Sequence, residues 1–212
     1  MRLPTTPALL GATVLGLSLS GLAAAAESGD WMVRAGASFV APKSDNGTLA
    51  LDRLGEIPPA DIEVDDGTSF TFTVSYFFTQ NWAVELLAAY PFNHDFDIDD
   101  VGLEGEVDHL PPTLSVQYHF PMSATVKPYV GLGVNWTMFF DEDLNAPLDV
   151  DLDDSVGLAG QVGVDIALND AWSVNFDLRY IDIASDVEVE GIDVGEVEID
   201  PWVFGINVGY TF

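Results

Sequence analysis

Strict alternation between large apolar residues and small or polar ones constrains the fold of this chain most. In the last segment the large apolar residues occupy every second position: Trp202, Phe204, Ile206, Val208, Tyr210 and Phe212. Eight segments follow this pattern: 31–39, 70–78, 82–92, 114–120, 130–138, 156–166, 172–180 and 202–212. A period of two is typical of a β-strand with one apolar face. The sequence therefore predicts eight such strands.

The connections between these segments are short and long in turn. The short ones are 79–81, 121–126 and 169–171, and the long ones, rich in Asp and Glu, are 41–66, 93–109, 141–154 and 182–200. Strands of about ten residues joined by short turns at one end and long loops at the other are typical of membrane barrels. We predict an all-β fold: an eight-stranded antiparallel transmembrane β-barrel with short periplasmic turns and long acidic extracellular loops, in the bacterial outer membrane.

Soluble barrels of the lipocalin type also alternate, but their apolar face points inward. Their outer face meets water, where Lys and Glu would be expected. In this sequence the residues between the apolar ones are mostly Gly, Ala, Ser, Thr and Asn. This composition favours a lipid-facing apolar row and a polar lumen over the soluble alternative.

The N-terminal residues have the features of an export signal. Arg2 precedes an apolar run from Ala8 to Ala26, and three alanines in a row offer a small-residue cleavage site before Glu27. We predict a signal peptide over 1–26 and the outer-membrane barrel over 27–212. An N-terminal membrane anchor is the alternative.

The charge of the chain limits its partners. It carries 35 Asp and Glu against 6 Lys and Arg, a formal net charge of −29. Binding of nucleic acid needs positive charge, so nucleic acid is excluded as a partner. With 48% hydrophobic residues the chain is too apolar for disorder. The carboxylates predict weak binding of divalent cations, or adaptation to a salty habitat, but no defined metal site and no cofactor.

Catalysis has little support in the sequence. A barrel enzyme acting on lipid acyl chains needs a nucleophile beside a base at the outer rim. His94 and His109 are expected to approach each other there, but no Ser lies between them in the sequence. We predict that the protein is not an enzyme.

Four stretches resemble a known family: LPPTLSVQYHF (110–120), KPYVGLGVNWTMFF (127–140), RYIDI (179–183) and DPWVFGINVGYTF (200–212). They closely resemble the OmpW family of small outer-membrane proteins, in order and spacing, through essentially the whole mature chain. The family includes AlkL-type proteins linked to uptake of alkanes and other hydrophobic compounds. The resemblance implies an eight-stranded barrel that passes small apolar molecules across the outer membrane.

The residues that point inward predict a blocked lumen. An eight-stranded barrel is just wide enough for its own side chains. We expect Arg34 and Arg179 to pair with Glu85, Asp165 or Asp177, because an unpaired charge there is costly. These five residues form the predicted lumen plug. The alternative is a membrane anchor without any conduction.

Alternation continues in the acidic loops, where acids and apolar residues take turns. Parity carried up from the strands predicts an apolar extracellular vestibule, wrapped in acid and lined by Leu103, Val107, Val187, Val189, Val197 and Ile199. Two runs have the opposite parity: Phe96 with Ile98, and Leu148 with Val150 and Leu152. A β-bulge would correct each of them. Ordinary packing of loop hydrophobics is an equally open alternative.

Three prolines predict an exit in the barrel wall. Pro91 lies near the outer end of the third strand, and Pro111 and Pro112 lie near the outer end of the fourth. Proline has no N–H and interrupts a strand ladder. We predict a lateral opening here, because Phe92 and Leu110 suggest that the apolar wall continues beyond the prolines. The alternative is that the prolines only end the strands.

The C-terminus predicts how the barrel assembles. Many bacterial outer-membrane barrels end on Phe, with aromatic residues at alternate positions before it, and the barrel-insertion machinery reads this pattern. Tyr210 and Phe212 are the predicted assembly signal. The expected partners are therefore this machinery, outer-membrane lipid and lipopolysaccharide, and a small hydrophobic ligand. Two functions remain open: a channel for small hydrophobic molecules, or a non-conducting surface barrel whose acidic loops serve adhesion, cation binding or salt adaptation.

Overall fold

The computed structural model describes residues 27–55, 57–98 and 102–212, and within them the chain is almost entirely β-structure. The predicted signal peptide, 1–26, lies outside the described residues. The strands are β1 (Trp31–Ala41), β2 (Thr48–Leu49), β3 (Ala60–Val64), β4 (Gly67–Phe77), β5 (Trp82–Ala89), β6 (Phe92–Ile98), β7 (Leu103–Leu110), β8 (Thr113–His119), β9 (Val126–Leu144), β10 (Val150–Leu152), β11 (Ser155–Ala167), β12 (Trp172–Ile181), β13 (Ala184–Val189), β14 (Ile192–Glu198) and β15 (Trp202–Thr211). A single-turn 3-10 helix spans Leu51–Leu54. None of the helical structure in these residues is long and apolar enough to cross a membrane.

A closed antiparallel barrel forms the lower part of the molecule. Its strands follow one another around the wall in the order β1, β4, β5, β8, β9, β11, β12 and β15. The wall closes because β15 pairs with β1 from Met32–Thr211 to Ala41–Trp202. The predicted eight-stranded antiparallel fold is confirmed. Among the described residues, closure leaves no free edge in the barrel wall.

Alternation in the sequence becomes an outside and an inside in the barrel. In β15, Trp202, Phe204 and Ile206 are exposed, whereas Val203 and Gly205 between them are buried. The other barrel strands also present most of their large apolar residues to the outside, although Met32, Phe77 and Leu87 are buried. An exposed apolar row on every side of a closed barrel fits a lipid environment, where such a surface is favourable. The soluble alternative required the opposite orientation.

Most of the predicted long loops are ordered strands that extend above the barrel. The hairpin of β6 and β7 pairs with β3 on one side and with the upper half of β9 on the other. Strands β10, β13 and β14 form a separate small sheet. Most outward residues of the strands above the barrel are acidic, and the inward apolar residues of these strands pack into one buried core. We call this part of the molecule the extracellular extension.

The structure corrects the sequence parity at two places. The alternation placed Phe92, Phe96 and Ile98 on the lipid-facing side of the wall. In the structure all three side chains are buried. The reason is that β5 ends at Ala89 and β6 begins at Phe92, and the two residues between them shift the alternation. Residues 148, 150 and 152 are half-buried against the same core, because the chain leaves β9 and returns as the separate strand β10.

Candidate functional site

Two arginines and three carboxylates form a buried ion-pair network in the barrel lumen. Arg34 donates two hydrogen bonds to the carboxylate of Asp165, at 2.9 and 2.7 Å, and one to Glu85 at 2.7 Å. Arg179 donates to the other oxygen of Glu85 at 3.0 Å and to Asp177 at 2.8 Å. Glu85 therefore bridges the two guanidinium groups, and its side chain is fully buried. The structure brings the five residues predicted for the lumen plug into one network.

Neutral polar side chains fill the space around this network. The guanidinium of Arg34 lies 5.1 Å from the centre of the Tyr129 ring, in a cation–π arrangement. Asn175 donates to Asp165 at 3.0 Å, and Asn207 donates to Asp177 at 3.0 Å. The side chains of the network and of these neighbours meet across the lumen and fill it at this level.

The extracellular extension encloses an apolar cavity, which we call the vestibule. All six residues that parity predicted for it line this cavity: Leu103, Val107, Val187, Val189, Val197 and Ile199. Residues of the opposite-parity runs, among them Phe96, Ile98 and Leu148, line it too. The cavity volume is about 50 Å³. Ligand pockets typically measure about 300–1,000 Å³, so the vestibule is nearly filled by its own side chains in this conformation.

Four aromatic rings lie in contact at the bottom of the vestibule, and we call them the aromatic stack. They are Phe92, His94, His109 and Phe139. The ring of His109 lies 5.4 Å from Phe92, 5.0 Å from His94 and 5.9 Å from Phe139, measured between centres. His109 lines the vestibule on one side and a second, smaller cavity in the barrel on the other. The aromatic stack therefore separates the two cavities.

Burial disfavours the charged form of the two histidines in the stack. Nδ1 of His94 lies 2.6 Å from the backbone oxygen of Asp65, and since a carbonyl can only accept, Nδ1 carries the proton. A side-chain carbon at Gly67 would lie 2.5 Å from Cε1 of His94, so this position must be glycine for the ring to fit. Burial lowers the pKa of His94, and burial together with the nearby His94 lowers the pKa of His109 to about 3.

The strand ladder of the barrel wall is interrupted between β5 and β8, the third and fourth strands of the barrel. Strand β5 pairs with β8 as far as Leu87 and Thr113, and pairing resumes in the extracellular extension at Phe92 and His109. Among the described residues no ladder pair joins 88–91 to 110–112. We call this interval the seam. Pro91, Pro111 and Pro112, the residues predicted for a lateral opening, all lie in it.

Each edge of the seam is bonded to its other neighbour instead. The amide of Tyr90 donates to Phe70 at 2.8 Å, and the hydroxyl of Ser69 donates to the carbonyl of Tyr90 at 2.7 Å. On the opposite edge, the carbonyl of Pro112 accepts the amide of Trp136 at 3.0 Å. These backbone groups are thus bonded on the side away from the seam.

The predicted assembly signal lies at the periplasmic end of the last strand. The backbones of Trp31 and Phe212 exchange two hydrogen bonds of 2.9 Å, and the Phe212 side chain is exposed. The ring of Tyr210 lies 4.9 Å from that of Trp172 in an edge-on arrangement, measured between centres. Both aromatic side chains face outward, where a binding partner could reach them before the barrel enters the membrane.

Sequence reasoning missed the aromatic stack. Phe92 was expected in the outer wall, and His94 and His109 were considered only as a base for catalysis. Parity offered half of the signal: it put His109 on the inward face with Val107, but it put His94 with Phe96 on the lipid side, and only the shift before Phe92 turns His94 inward. The need for glycine at position 67 could not be predicted from the sequence, because it arises from the His94 ring on another strand.

Comparison with known proteins identifies the family. The model of the OmpW family matches residues 27–212. This chain belongs to the OmpW family. The chain is similar to outer membrane protein W of Vibrio cholerae, with 39% identity over 96% of this chain and 98% of the relative. It is also similar to outer membrane protein AlkL of Ectopseudomonas oleovorans, with 33% identity over 87% of this chain and 83% of the relative.

A solved structure agrees with the architecture. The crystal structure of the outer membrane protein OprG from Pseudomonas aeruginosa superposes with a TM-score of 0.76 and 36% identity, covering 88% of this chain and 97% of OprG. The predicted family and outer-membrane location are confirmed. The barrel described above therefore sits among the lipids of the bacterial outer membrane, with the acidic extension outside it.

Proposed function

We propose that this OmpW-family protein is a channel that passes small hydrophobic molecules from the cell surface into the outer membrane. The route runs from the vestibule, past the aromatic stack, and sideways through the seam. The observation that carries the proposal is the break in the strand ladder beside Pro91, Pro111 and Pro112. A polar exterior surrounds the start of this route, and an apolar molecule crosses that layer inside the vestibule.

The ion-pair network directs the route sideways. Two arginines and three carboxylates, bonded to one another, leave no apolar path downward through the lumen. The network also blocks ions, because a passing ion would have to break pairs that are buried and strongly bonded. Little steady conductance is expected in planar bilayers.

Passage requires movement in the extracellular extension. With a volume of about 50 Å³, the vestibule holds no molecule of several carbons until its walls separate. The segments around it are connected by short strands and by the 3-10 helix rather than by the continuous barrel ladder. They are therefore the part of the molecule that can open at the lowest cost in free energy.

A disulfide across the seam tests the route. The sequence has no cysteine, so Ala88→Cys with Pro112→Cys introduces a single pair. We expect oxidation of this pair to lower the uptake of n-nonane by cells, and reduction to restore it. Undiminished uptake in the oxidised form would contradict a lateral exit.

The matched control places a disulfide where the ladder is continuous. Val33 and Val74 face each other across β1 and β4, so Val33→Cys with Val74→Cys locks an intact strand pair. Its oxidation should leave nonane uptake unchanged. A loss of uptake in both disulfide variants would indicate general damage rather than closure of the seam.

A second candidate is a non-conducting surface barrel whose acidic loops serve adhesion, cation binding or salt adaptation. The small vestibule volume favours it, since a closed, well-packed extension needs no passenger. Equal nonane uptake by cells with and without the protein would decide for this function. Lipopolysaccharide, weakly bound divalent cations and the barrel-insertion machinery are proposed partners under either function.

A further inference from the structure

The second cavity lies inside the barrel, between the aromatic stack and the ion-pair network. Phe92 and His109 bound it on one side, and Asp177 and Arg179 on the other. Leu87 and Pro111, the residues at the edge of the seam, also line it. A molecule on the proposed route therefore passes this cavity immediately before it leaves the barrel.

Two buried polar atoms at this cavity have no hydrogen-bond partner in the part of the chain that the structure describes. Nε and Nη2 of Arg179 are bonded to Asp177 and Glu85, but Nη1 has no hydrogen-bond partner among the described residues. The hydroxyl of Thr73 also lacks one there. Both residues line the cavity, and both are 4% exposed. Buried polar groups are usually bonded, so two unpartnered ones in the same small cavity call for an explanation.

The chemistry of these two atoms defines what would complement them. A guanidinium N–H can only donate, and a hydroxyl can donate to the same acceptor. The matching ligand group is therefore an oxygen that accepts. A charged carboxylate is disfavoured, because Arg179 already faces two carboxylates and the network holds three acids against two arginines. The acidic extension would also repel an anion on its way in.

We propose that Thr73 and Arg179 form a subsite for the neutral carbonyl oxygen of an otherwise apolar molecule. This inference rests on the proposed function and narrows its substrate class from hydrocarbons in general to ketones, aldehydes and esters. The cavity volume of about 20 Å³ holds about one water-sized group, so only the carbonyl fits. The apolar chain then extends past Leu87 and Pro111 through the seam, and the molecule leaves tail first.

Selectivity between two probes of equal length tests the subsite. Uptake of 2-nonanone and of n-nonane is measured in cells expressing each variant. Thr73→Val removes the hydroxyl and keeps the shape, and we expect the ratio of ketone to alkane uptake to fall by about two- to tenfold. Thr73→Ser keeps the hydroxyl and should retain the ratio. An unchanged ratio in Thr73→Val would overturn the proposal.

The control removes another buried hydroxyl elsewhere. Ser173 also has an unpartnered Oγ among the described residues, but it lines a pocket at the periplasmic end. Ser173→Ala should leave the uptake of both probes unchanged. If it lowers the ratio as Thr73→Val does, the effect belongs to the barrel in general and the subsite is wrong.

A binding measurement separates the subsite from transport itself. The Nε–H signal of Arg179 is followed by NMR in lipid nanodiscs, with 2-nonanone, n-nonane or nonanoate added at equal mole fraction. We expect a shift with 2-nonanone that weakens in Thr73→Val, and smaller shifts with the other two probes. A larger shift with nonanoate would overturn the neutral class, and no shift with any probe would show a cavity that holds solvent only. If neither compound is taken up faster with the protein than without it, the proposed channel fails, and the Arg179 signal still decides the subsite.

Discussion

The barrel and the extracellular extension use the same alternation with opposite polarity. In the barrel the apolar residues face outward and the lumen holds charges, as Leu86 and Glu85 show in β5. In the extension the acids face outward and the core is apolar, as Glu188 and Val187 show in β13. The surrounding medium explains the reversal, because lipid favours an apolar surface and water favours a charged one. A strand that passes from lipid into water must therefore change from an apolar to a charged outer face.

The position of the exchange is informative. Where the chain passes from β5 to β6, the alternation of inward and outward side chains shifts between Ala89 and Phe92. This interval is one edge of the seam. A shift by one residue takes the backbone out of register with its neighbour, as at a β-bulge. Between β5 and β6 the change of polarity and the break in the ladder therefore lie at the same place. The exit proposed for hydrophobic molecules lies where the polarity of the wall reverses.

Removal of a buried charge from the lumen should produce the largest difference in stability between the two regions. Glu85→Ala leaves two buried arginines without their shared carboxylate, and breaking such pairs typically costs about 3–5 kcal/mol. We expect a matching fall in the free energy of unfolding, measured by urea titration in detergent, and increased ion conductance. Glu188→Ala, an exposed acid of the extension, should change the stability by less than about 0.5 kcal/mol. Equal losses in the two variants would break the contrast.

One substitution made in both regions compares their packing. Val187→Ala removes two carbons from the apolar core of the extension and should destabilise it by about 2 kcal/mol. Hydrogen exchange should then speed up in β13 and β14 while the barrel amides stay protected. Val208→Ala on the lipid face leaves no internal cavity, so little change is expected. Faster exchange throughout the barrel in Val187→Ala would show that the two regions unfold together.

Acid should loosen the extension before it affects the barrel. Burial lowers the folded-state pKa of His94 and His109 below the unfolded value of about 6.5, so the unfolded state binds protons first. The contribution of the neutral histidines is present above about pH 6.5 and is lost as the pH falls towards about 3, the pKa of His109. Hydrogen exchange at Val107 should accelerate between pH 7 and pH 4.

The control for this experiment keeps the ring and removes the titration. His109→Phe preserves an aromatic side chain in the stack, so its exchange rates, corrected for the intrinsic effect of pH, should depend less on acid. Asp65, Asp66 and Asp95 surround His94 and favour its charged form, which limits the effect at that residue. The same acid response in His109→Phe would assign it to the surface carboxylates instead.

The smallest effect on the stability of the folded barrel is expected at the C-terminus. Phe212 is exposed, so Phe212→Asp removes little packing, but it should lower the yield of inserted barrel by disrupting the assembly signal. Thr211→Ser, at the neighbouring position, should insert normally. Heat-modifiable mobility on gels measures the yield. Equal yields for Phe212→Asp and Thr211→Ser would contradict a role of the last residue in assembly.

Much of this architecture could be predicted from the sequence, because alternation is a local property that the surrounding medium enforces. It determined the eight barrel strands, the outward apolar rows and the residues that point into the lumen and the vestibule. The three prolines marked the seam for a similar reason, since a missing N–H breaks a ladder wherever the strand lies.

Only the tertiary structure decided which inward residues meet. The two hydrogen bonds that Arg34 donates to Asp165, the sharing of Glu85 by two arginines and the contact of His94 with Gly67 join strands far apart in the sequence. The reversed parity at Phe92 depends on an irregular pair of residues that no period reveals. The unpartnered atoms of Thr73 and Arg179 are also invisible in the sequence, because a hydrogen bond that is not made depends on the position of every neighbour. Local pattern determines the direction of a side chain, whereas the register and curvature of the closed barrel determine its partners.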